Sequence, residues 1–434
     1  MVLEPARKHH GHELQTTGTL CAAVGSCPLT TAKDMGEMTM SRDHFRSELQ
    51  PETRVTHQPR VRLPKGNEPL VSPIHQSVKF GMPSFKEVGR ILSGELDAYF
   101  YSRVANPTVR QLELSLASMQ GRDDAICFSS GVAALSNVMT AILQAGDHIV
   151  YFRESYKPTR WLIGRVFRKF GVSATMLGID DHAGLEKVLA TRKTRLVIFE
   201  SVTNPMLRVA DIGRICELAR AHGAATLLDN TFSGIHNHGQ FPVDWYVHSL
   251  TKYVGGHGDV LGGVVIANKG LIRSIKTDTF NLGATLDPHA AFLLSRGLKT
   301  YFVRWKTQCA GAKQIAEWLS GVPAVSNLRY PGLANDPGHA LTETQGGAWG
   351  AMIAFDIHAE KMGRFLDALQ IFQVAGSLGS TESLVAPAHL FYGGDMSDED
   401  NLAAGLNPGS IRLSIGIEDP QDLINDLERA FKLL

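Results

Sequence analysis

Long apolar runs are missing from this chain: no stretch approaches the ~20 consecutive apolar residues that a membrane-spanning helix needs, which excludes one. Excess charge is missing too. The 43 Lys and Arg balance the 43 Asp and Glu, so nothing electrostatic argues for nucleic acid or an anionic membrane surface as a partner. Cysteine is sparse, with five in 434 residues (Cys21, Cys27, Cys127, Cys216, Cys309), odd in number and scattered. That argues against a disulfide framework, and Cys127 and Cys216 sit in apolar patterns as free thiols do. A reducing, cytoplasmic compartment is expected. The opening "MVLEPARKHHGHELQTTGTL" has no apolar h-region, so a secretory signal is not expected. Regular periodicity is absent up to about Arg60, and residues 1–60 read as a poorly structured extension. His9, His10 and His12 belong to that solvated tail; no metal is expected on them.

What is present begins at Asn106. "NPTVRQLELSLASMQG" carries Leu112, Leu116 and Met119 at helical spacing and stops at Gly121. "DDAICFSSG", "DHIVYF", "TRLVIFES", "AATLLDN", "WYVHSLTK" and "GGVVIA" read as strands. "VAALSNVMTAILQAG" and "DIGRICELARAHG" read as helices, the second capped by Asp211. Strands alternating with helices, and apolar almost throughout, predict a mostly parallel sheet covered on both faces. "LKTYFVRWKTQCAGAKQIAEWLSG" reads as one long helix leading to a second unit. There "GAWGAMIAFDI", "EKMGRFLDALQIF" and "IRLSIGIED" read strand, helix, strand, and "PQDLINDLERAFKLL" closes with Asp419 as N-cap and Pro420 at N1. The length also suits two domains, predicted as 61–300 and 301–434.

Two apolar runs end on groups that carry chemistry, "LLDNTF" on Asp229 and "HSLTKYVGGHGD" on Lys252. In an open α/β sheet, ligands bind beyond the carboxyl ends of strands. An enclosed lysine can shed its proton and form a Schiff base with a carbonyl, and an aspartate facing a pyridine nitrogen keeps that ring cationic. Pyridoxal 5′-phosphate (PLP) requires that pair of a protein. "FSSGVAAL" adds a strand end, small residues Ser129, Ser130 and Gly131, then a helix start, which suits a phosphate. Ser249 and Thr251 flank the lysine with hydroxyls. Strict strand alternation would put them on the face opposite Lys252; a turn there would not.

The stretches "YSRVANPTVRQLE", "FSSGVAAL", "VTNPMLRVADI", "LDNTF", "HSLTKYVGGHGDVLGG", "SLGSTESL" and "IRLSIGIED" stand in the order and style of one family. From about Pro69 to the C-terminus the chain resembles the Cys/Met-metabolism PLP-dependent enzymes. This trans-sulfuration family includes cystathionine γ-synthase, cystathionine β- and γ-lyases and methionine γ-lyase. The resemblance implies a fold type I enzyme: α/β, with a mostly parallel seven-stranded sheet in the large domain, a smaller α/β C-terminal domain, and PLP as cofactor. It implies Lys252 as the Schiff-base lysine and Asp229 as the partner of the pyridine nitrogen. Ser130, Gly131 and Val132 match the phosphate-loop positions, the third departing from the usual Met. Tyr101 and Arg103 match a pair that reaches a neighbouring subunit's phosphate, which implies a homodimer or homotetramer with shared active sites. Asn204 matches a residue near the ring oxygen, and Arg412 the arginine that grips the substrate α-carboxylate. Ser377 opens the loop beside that carboxylate, and Tyr156 matches an aromatic that stacks on the ring and serves as an acid–base group.

The activity implied is a PLP-dependent lyase that eliminates a β- or γ-substituent, usually by C–S cleavage, from an L-amino acid to give a keto acid and ammonia. The alternatives are γ-replacement on a homoserine ester, a γ-lyase acting on a non-sulfur amino acid, an aminotransferase, and a non-catalytic relative. Gly376 stands where several γ-enzymes carry Glu, and Lys157 beside Tyr156 puts a cation near the distal pocket. His236 and His238 have metal-like spacing with no Cys or acidic cluster to complete a site, so a polar loop is expected. Arg165, Arg168 and Lys169 in "RVFRKF" read as the wet face of a helix.

Overall fold

Five-residue strands build the larger of two sheets, which orders as β1-β7-β6-β5-β4-β2-β3. They are β1 (Asp124–Phe128), β2 (His148–Phe152), β3 (Ser173–Leu177), β4 (Leu196–Glu200), β5 (Ala225–Asp229), β6 (Trp245–Ser249) and β7 (Gly263–Ala267). The computed structural model describes residues 63–434 except 83, 94, 97 and 348, together with positions 50 and 53. The readings of the N-terminal tail, with its histidines and Cys21 and Cys27, fall outside the described residues.

β2 to β6 pair in parallel, and β7 is antiparallel to both neighbours. β4 and β7 are buried at every position, which their uninterrupted apolar runs require in a sheet covered on both faces. The covering helices begin where the sequence says they should, though the one read from "VAALSNVMTAILQAG" stops at Ile142, where Leu143 turns to extended backbone short of Gly146. Asn106 accepts from the Thr108 N–H, Pro107 opens the helix Pro107–Gln120, and Gly121 closes it at φ 66°. Asp211 caps Ile212–Ala221 through the Arg214 N–H, and Ser130 caps Gly131–Ile142 through the Ala133 N–H.

A second sheet orders as β10-β11-β12-β9-β8, from β8 (Ser326–Arg329), β9 (Met352–Asp356), β10 (Gln373–Val374), β11 (Leu384–Pro387) and β12 (Ser410–Ser414). The helix Tyr301–Leu319 packs on β9 and against the helix Pro420–Phe431, the latter opened by Asp419 and Pro420 as expected. The long helix is shorter than its predicted span and starts at Tyr301. A separate helix, Pro288–Leu298, precedes it, and buried Arg304 ties the joint by donating to the Gly297, Tyr253 and Val254 carbonyls. The strand read from "GAWGAMIAFDI" also starts late, at Met352, because Gly346, Gly347 and Gly350 hold positive φ. "RVFRKF" runs through a π-helical turn and a 3₁₀ turn, with Arg168 and Lys169 exposed.

Candidate active site

β4, β5 and β6 end side by side, and Glu200 and Asp229 face each other across their pairing. After Ser249 the chain turns instead of extending. The Lys252 N–H donates to the Ser249 carbonyl, and the turn brings Ser249, Thr251 and Lys252 to one cavity. Strict alternation does not apply. β1, parallel to β6 across β7, delivers Ser130, Gly131 and Val132 to the same cavity, with the helix N-terminus they open. Close approach fixes the glycine here: a Cβ on Gly131 would lie 2.8 Å from the Ser249 Cβ.

The cavity has a volume of about 220 Å³, and the smaller sheet contributes its other wall. Arg412, at the centre of β12, is 2% exposed. Its Nη1 donates to Asn204 Oδ1 at 2.5 Å and its Nη2 to the Ser377 carbonyl at 2.8 Å, while Nε is buried with no partner. Burial lowers its pKa. Ser377 itself adopts φ 84°, and its Oγ meets Lys252 Nζ at 2.7 Å. The lysine is therefore held from the smaller-sheet side while its backbone belongs to the larger.

Burial, reinforced by the nearby Arg412 charge and opposed by Asp229, lowers the Lys252 pKa to about 8. Burial raises that of Asp229, against Lys252 and two hydrogen bonds from the Thr231 N–H and hydroxyl at 3.0 and 2.6 Å. Both of those bonds end on Oδ1. Tyr156 lines the cavity and its phenol is also pushed up by burial.

Of the predicted residues, Tyr156, Asn204 and Ser377 thus join Lys252, Asp229, Arg412 and the Ser130–Val132 loop in one place. Tyr101 and Arg103 lie elsewhere on the chain. Tyr101 is 38% exposed and bridges to Lys79, and Arg103 donates to the Phe280 carbonyl at 2.8 Å. Lys157 is not part of the cavity lining; its Nζ lies against Gly394. His238 is buried and bonded to Asn230, and His236 to the Tyr301 hydroxyl, so this loop is tightly packed as well as polar.

Sequence reasoning missed Glu200, Thr231 and Tyr392, which all line the cavity. Glu200 Oε1 accepts the Tyr156 N–H and Oε2 the Asn204 N–H at 3.2 Å; burial and Asp229 push its pKa well up. Its signal was available, because "LVIFE" ends an apolar run on an acid just as "ATLLD" does. Tyr392 ends the five-residue helix Ala388–Tyr392, where no periodicity could mark it.

These residues fit PLP. A helix N-terminus shaped by glycine suits the phosphate, a carboxylate with one oxygen clear of the Thr231 bonds suits the ring nitrogen, and a lysine of lowered pKa suits the carbonyl. With the mostly parallel seven-stranded sheet they define a fold type I PLP-dependent enzyme. The comparisons carry this one step further. The sequence model of the Cys/Met metabolism PLP-dependent enzymes matches residues 52–432, and the chain belongs to that family. It is 35% identical to L-methionine gamma-lyase of Pseudomonas putida over 84% of this chain and 92% of that one. It is 38% identical to cystathionine beta-lyase of Lactococcus lactis subsp. cremoris, over 78% and 90%. A putative O-acetylhomoserine (thiol)-lyase from Campylobacter jejuni, solved with a pyridoxyl-lysine phosphate, superposes with a TM-score of 0.80 at 30% identity, covering 83% and 95%.

Proposed function

We propose that this PLP-dependent enzyme is a lyase that eliminates a β- or γ-substituent, typically a thiol, from an L-amino acid and releases a keto acid and ammonia. The observation that carries this reading is the meeting of Lys252, Asp229, Tyr156 and Arg412 in one cavity. Bound PLP supplies an electron sink for the charge left at Cα. Arg412, with its unpartnered Nε, binds the α-carboxylate and so orients the Cα–H bond. Lys252, with a pKa near 8, is readily deprotonated and takes the α-proton. Asp229, with one oxygen clear of the Thr231 bonds, would hold the bound ring nitrogen protonated. Asn204, fixed to Arg412, would hold the bound cofactor's ring through its oxygen, and Ser377 positions Lys252. Tyr156, in the cavity lining, would pack against the bound ring and assist proton transfer to the leaving group. Ser130, Gly131, Val132, Ser249 and Thr251 would hold the cofactor's phosphate.

Gly376, where several γ-synthases and γ-lyases carry Glu, speaks against ordinary cystathionine γ-chemistry of either kind. A Cβ there would meet the Phe391 ring at 3.9 Å, and the glycine itself brings no carboxylate to hold a second amino group. Exposed Tyr101 and Arg103, remote from their own cavity, support a homodimer or homotetramer in which they reach a neighbour's phosphate; an active monomer in ultracentrifugation would refute this. The two sheets support a large domain at 61–300 and a small one at 301–434. Buried free thiols at Cys127 and Cys216 support a cytoplasmic setting.

The test is an absorbance spectrum of the purified protein, followed while a panel of sulfur and oxygen amino acids is added. A visible band from lysine-bound cofactor and keto-acid release from one of them are expected. Keto-acid-dependent amino transfer without elimination would replace this reading with an aminotransferase.

A further inference from the structure

Arg412 has an aromatic ring on its guanidinium that no part of the mechanism above uses. The Tyr392 ring lies 4.6 Å from Arg412 Cζ, with Phe232 farther off at 5.9 Å. Tyr392 is 8% exposed and lines the cavity. It is also anchored from an unexpected direction. Buried Arg160, one helical turn after Tyr156, donates from Nη2 to the Tyr392 carbonyl at 2.8 Å. The same guanidinium forks onto Asp395, at 2.9 Å from Nε and 2.7 Å from Nη2. Its Nη1 donates to the Arg153 carbonyl at 3.1 Å and to the carbonyl of Ser155, next to Tyr156. One arginine therefore ties the segment carrying Tyr156 to the segment carrying Tyr392, through fixed planar geometry that a lysine would not reproduce.

We propose that Tyr392 is a positioning residue for substrate binding, its ring holding the Arg412 guanidinium edge-on to the incoming α-carboxylate, with the Arg160–Asp395 pair as its brace. This rests on the reading of Arg412 as the carboxylate site. A ring 4.6 Å from the guanidinium carbon covers that side of it and leaves the N–H groups pointing away from the ring, which are the ones a carboxylate uses for two parallel bonds. Two of those directions are already fixed by Asn204 and the Ser377 carbonyl, so the ring and these bonds together leave the orphaned Nε edge for the ligand. The site is thereby shaped before substrate arrives, which limits the ordering that binding requires.

The test uses the PLP-loaded enzyme and glycine, which has no side chain to eliminate, as a probe of carboxylate binding by spectral titration. Tyr392→Leu is expected to weaken glycine binding and raise KM for the substrate about tenfold, with kcat changed less than threefold. Tyr392→Phe, which keeps the ring, should bind glycine within twofold of wild type. Glycine binding within twofold of wild type in Tyr392→Leu overturns the proposal, and so does an equal loss in Tyr392→Phe. Should Tyr392→Leu fail to take up cofactor, Asp395→Asn carries the test: about threefold weaker binding is expected, and unchanged binding overturns the proposal. Arg412→Gln tests the underlying reading separately. If that variant binds glycine normally, Arg412 is not the carboxylate site, whatever Tyr392 does.

Discussion

Lys252 and Arg412 are two buried cations in one cavity, and the regions that hold them work in opposite senses. Lys252 comes from the ends of the larger sheet's strands, where its one hydrogen bond from Nζ goes to Ser377 and its nearest counter-charge, Asp229, is offset by burial and by Arg412. That region drives its cation towards neutrality. Arg412 comes from the middle of β12 and is held by the Asn204 amide oxygen, a carbonyl and an aromatic face. Burial lowers its pKa too, but a guanidinium starts so high that it stays charged. The same desolvation therefore yields a base at one wall and a permanent cation at the other. Residue type decides which.

The comparison breaks most severely at Lys252. Lys252→Ala should lower turnover by roughly 10⁴-fold or more, since no other group in the proposed scheme takes the α-proton. Activity near wild type in steady-state assays would remove the lysine from the chemistry. Arg412→Lys keeps the charge but loses the fork, and about a hundredfold loss in kcat/KM, mostly in KM, is expected. A loss confined to kcat would place Arg412 in the proton-transfer machinery instead.

A smaller effect sharpens the contrast through pH. Lys252 has a folded pKa of about 8 against an ordinary 10.5, so between those values the unfolded chain binds more protons. Stability of the cofactor-free protein should rise across that window, by up to about 3 kcal/mol from this group, and the gain is absent below it. Lys252→Met should abolish that slope and leave the protein more stable than wild type at pH 7, as read by denaturant titration. The smallest effect belongs to Ser377, whose φ of 84° suits glycine. Ser377→Gly should stabilise the fold by up to about 1 kcal/mol while releasing Lys252 and lowering kcat a few-fold. A fall in melting temperature would mean that the serine's bond to the lysine outweighs the backbone relief.

The two walls also differed in how far the sequence revealed them. On the larger sheet, apolar runs ending in Asp229 and Lys252 mark strand ends, and strand ends are where such sheets bind ligands. Glu200 obeyed the same rule and was overlooked because no partner in the imagined chemistry asked for it. On the smaller sheet Arg412 sits mid-strand, indistinguishable by pattern from a charge on a wet face, and only the family resemblance exposed it. Tyr392 had neither signal. Its place follows from the Arg160 contact 232 positions away, which no local pattern encodes. β3, half exposed at the sheet edge, and the short β8 and β10 were invisible for a related reason: their stability comes from neighbours, not from an apolar run of their own, while β11 is apolar and buried but only four residues long.

The strand order in the chain has a consequence for synthesis. Every strand of the larger sheet lies between Asp124 and Ala267, and every strand of the smaller one between Ser326 and Ser414. A ribosome adding roughly 10 residues per second releases the first set several seconds before the second is complete. During that interval the lysine lacks both the wall from the smaller sheet that completes its burial, the larger cause of its lowered pKa, and the Arg412 charge that adds to it. The amine would become readily reactive only when translation is nearly finished, so a chain stalled before Arg412 should carry a less nucleophilic Lys252 than the full-length protein.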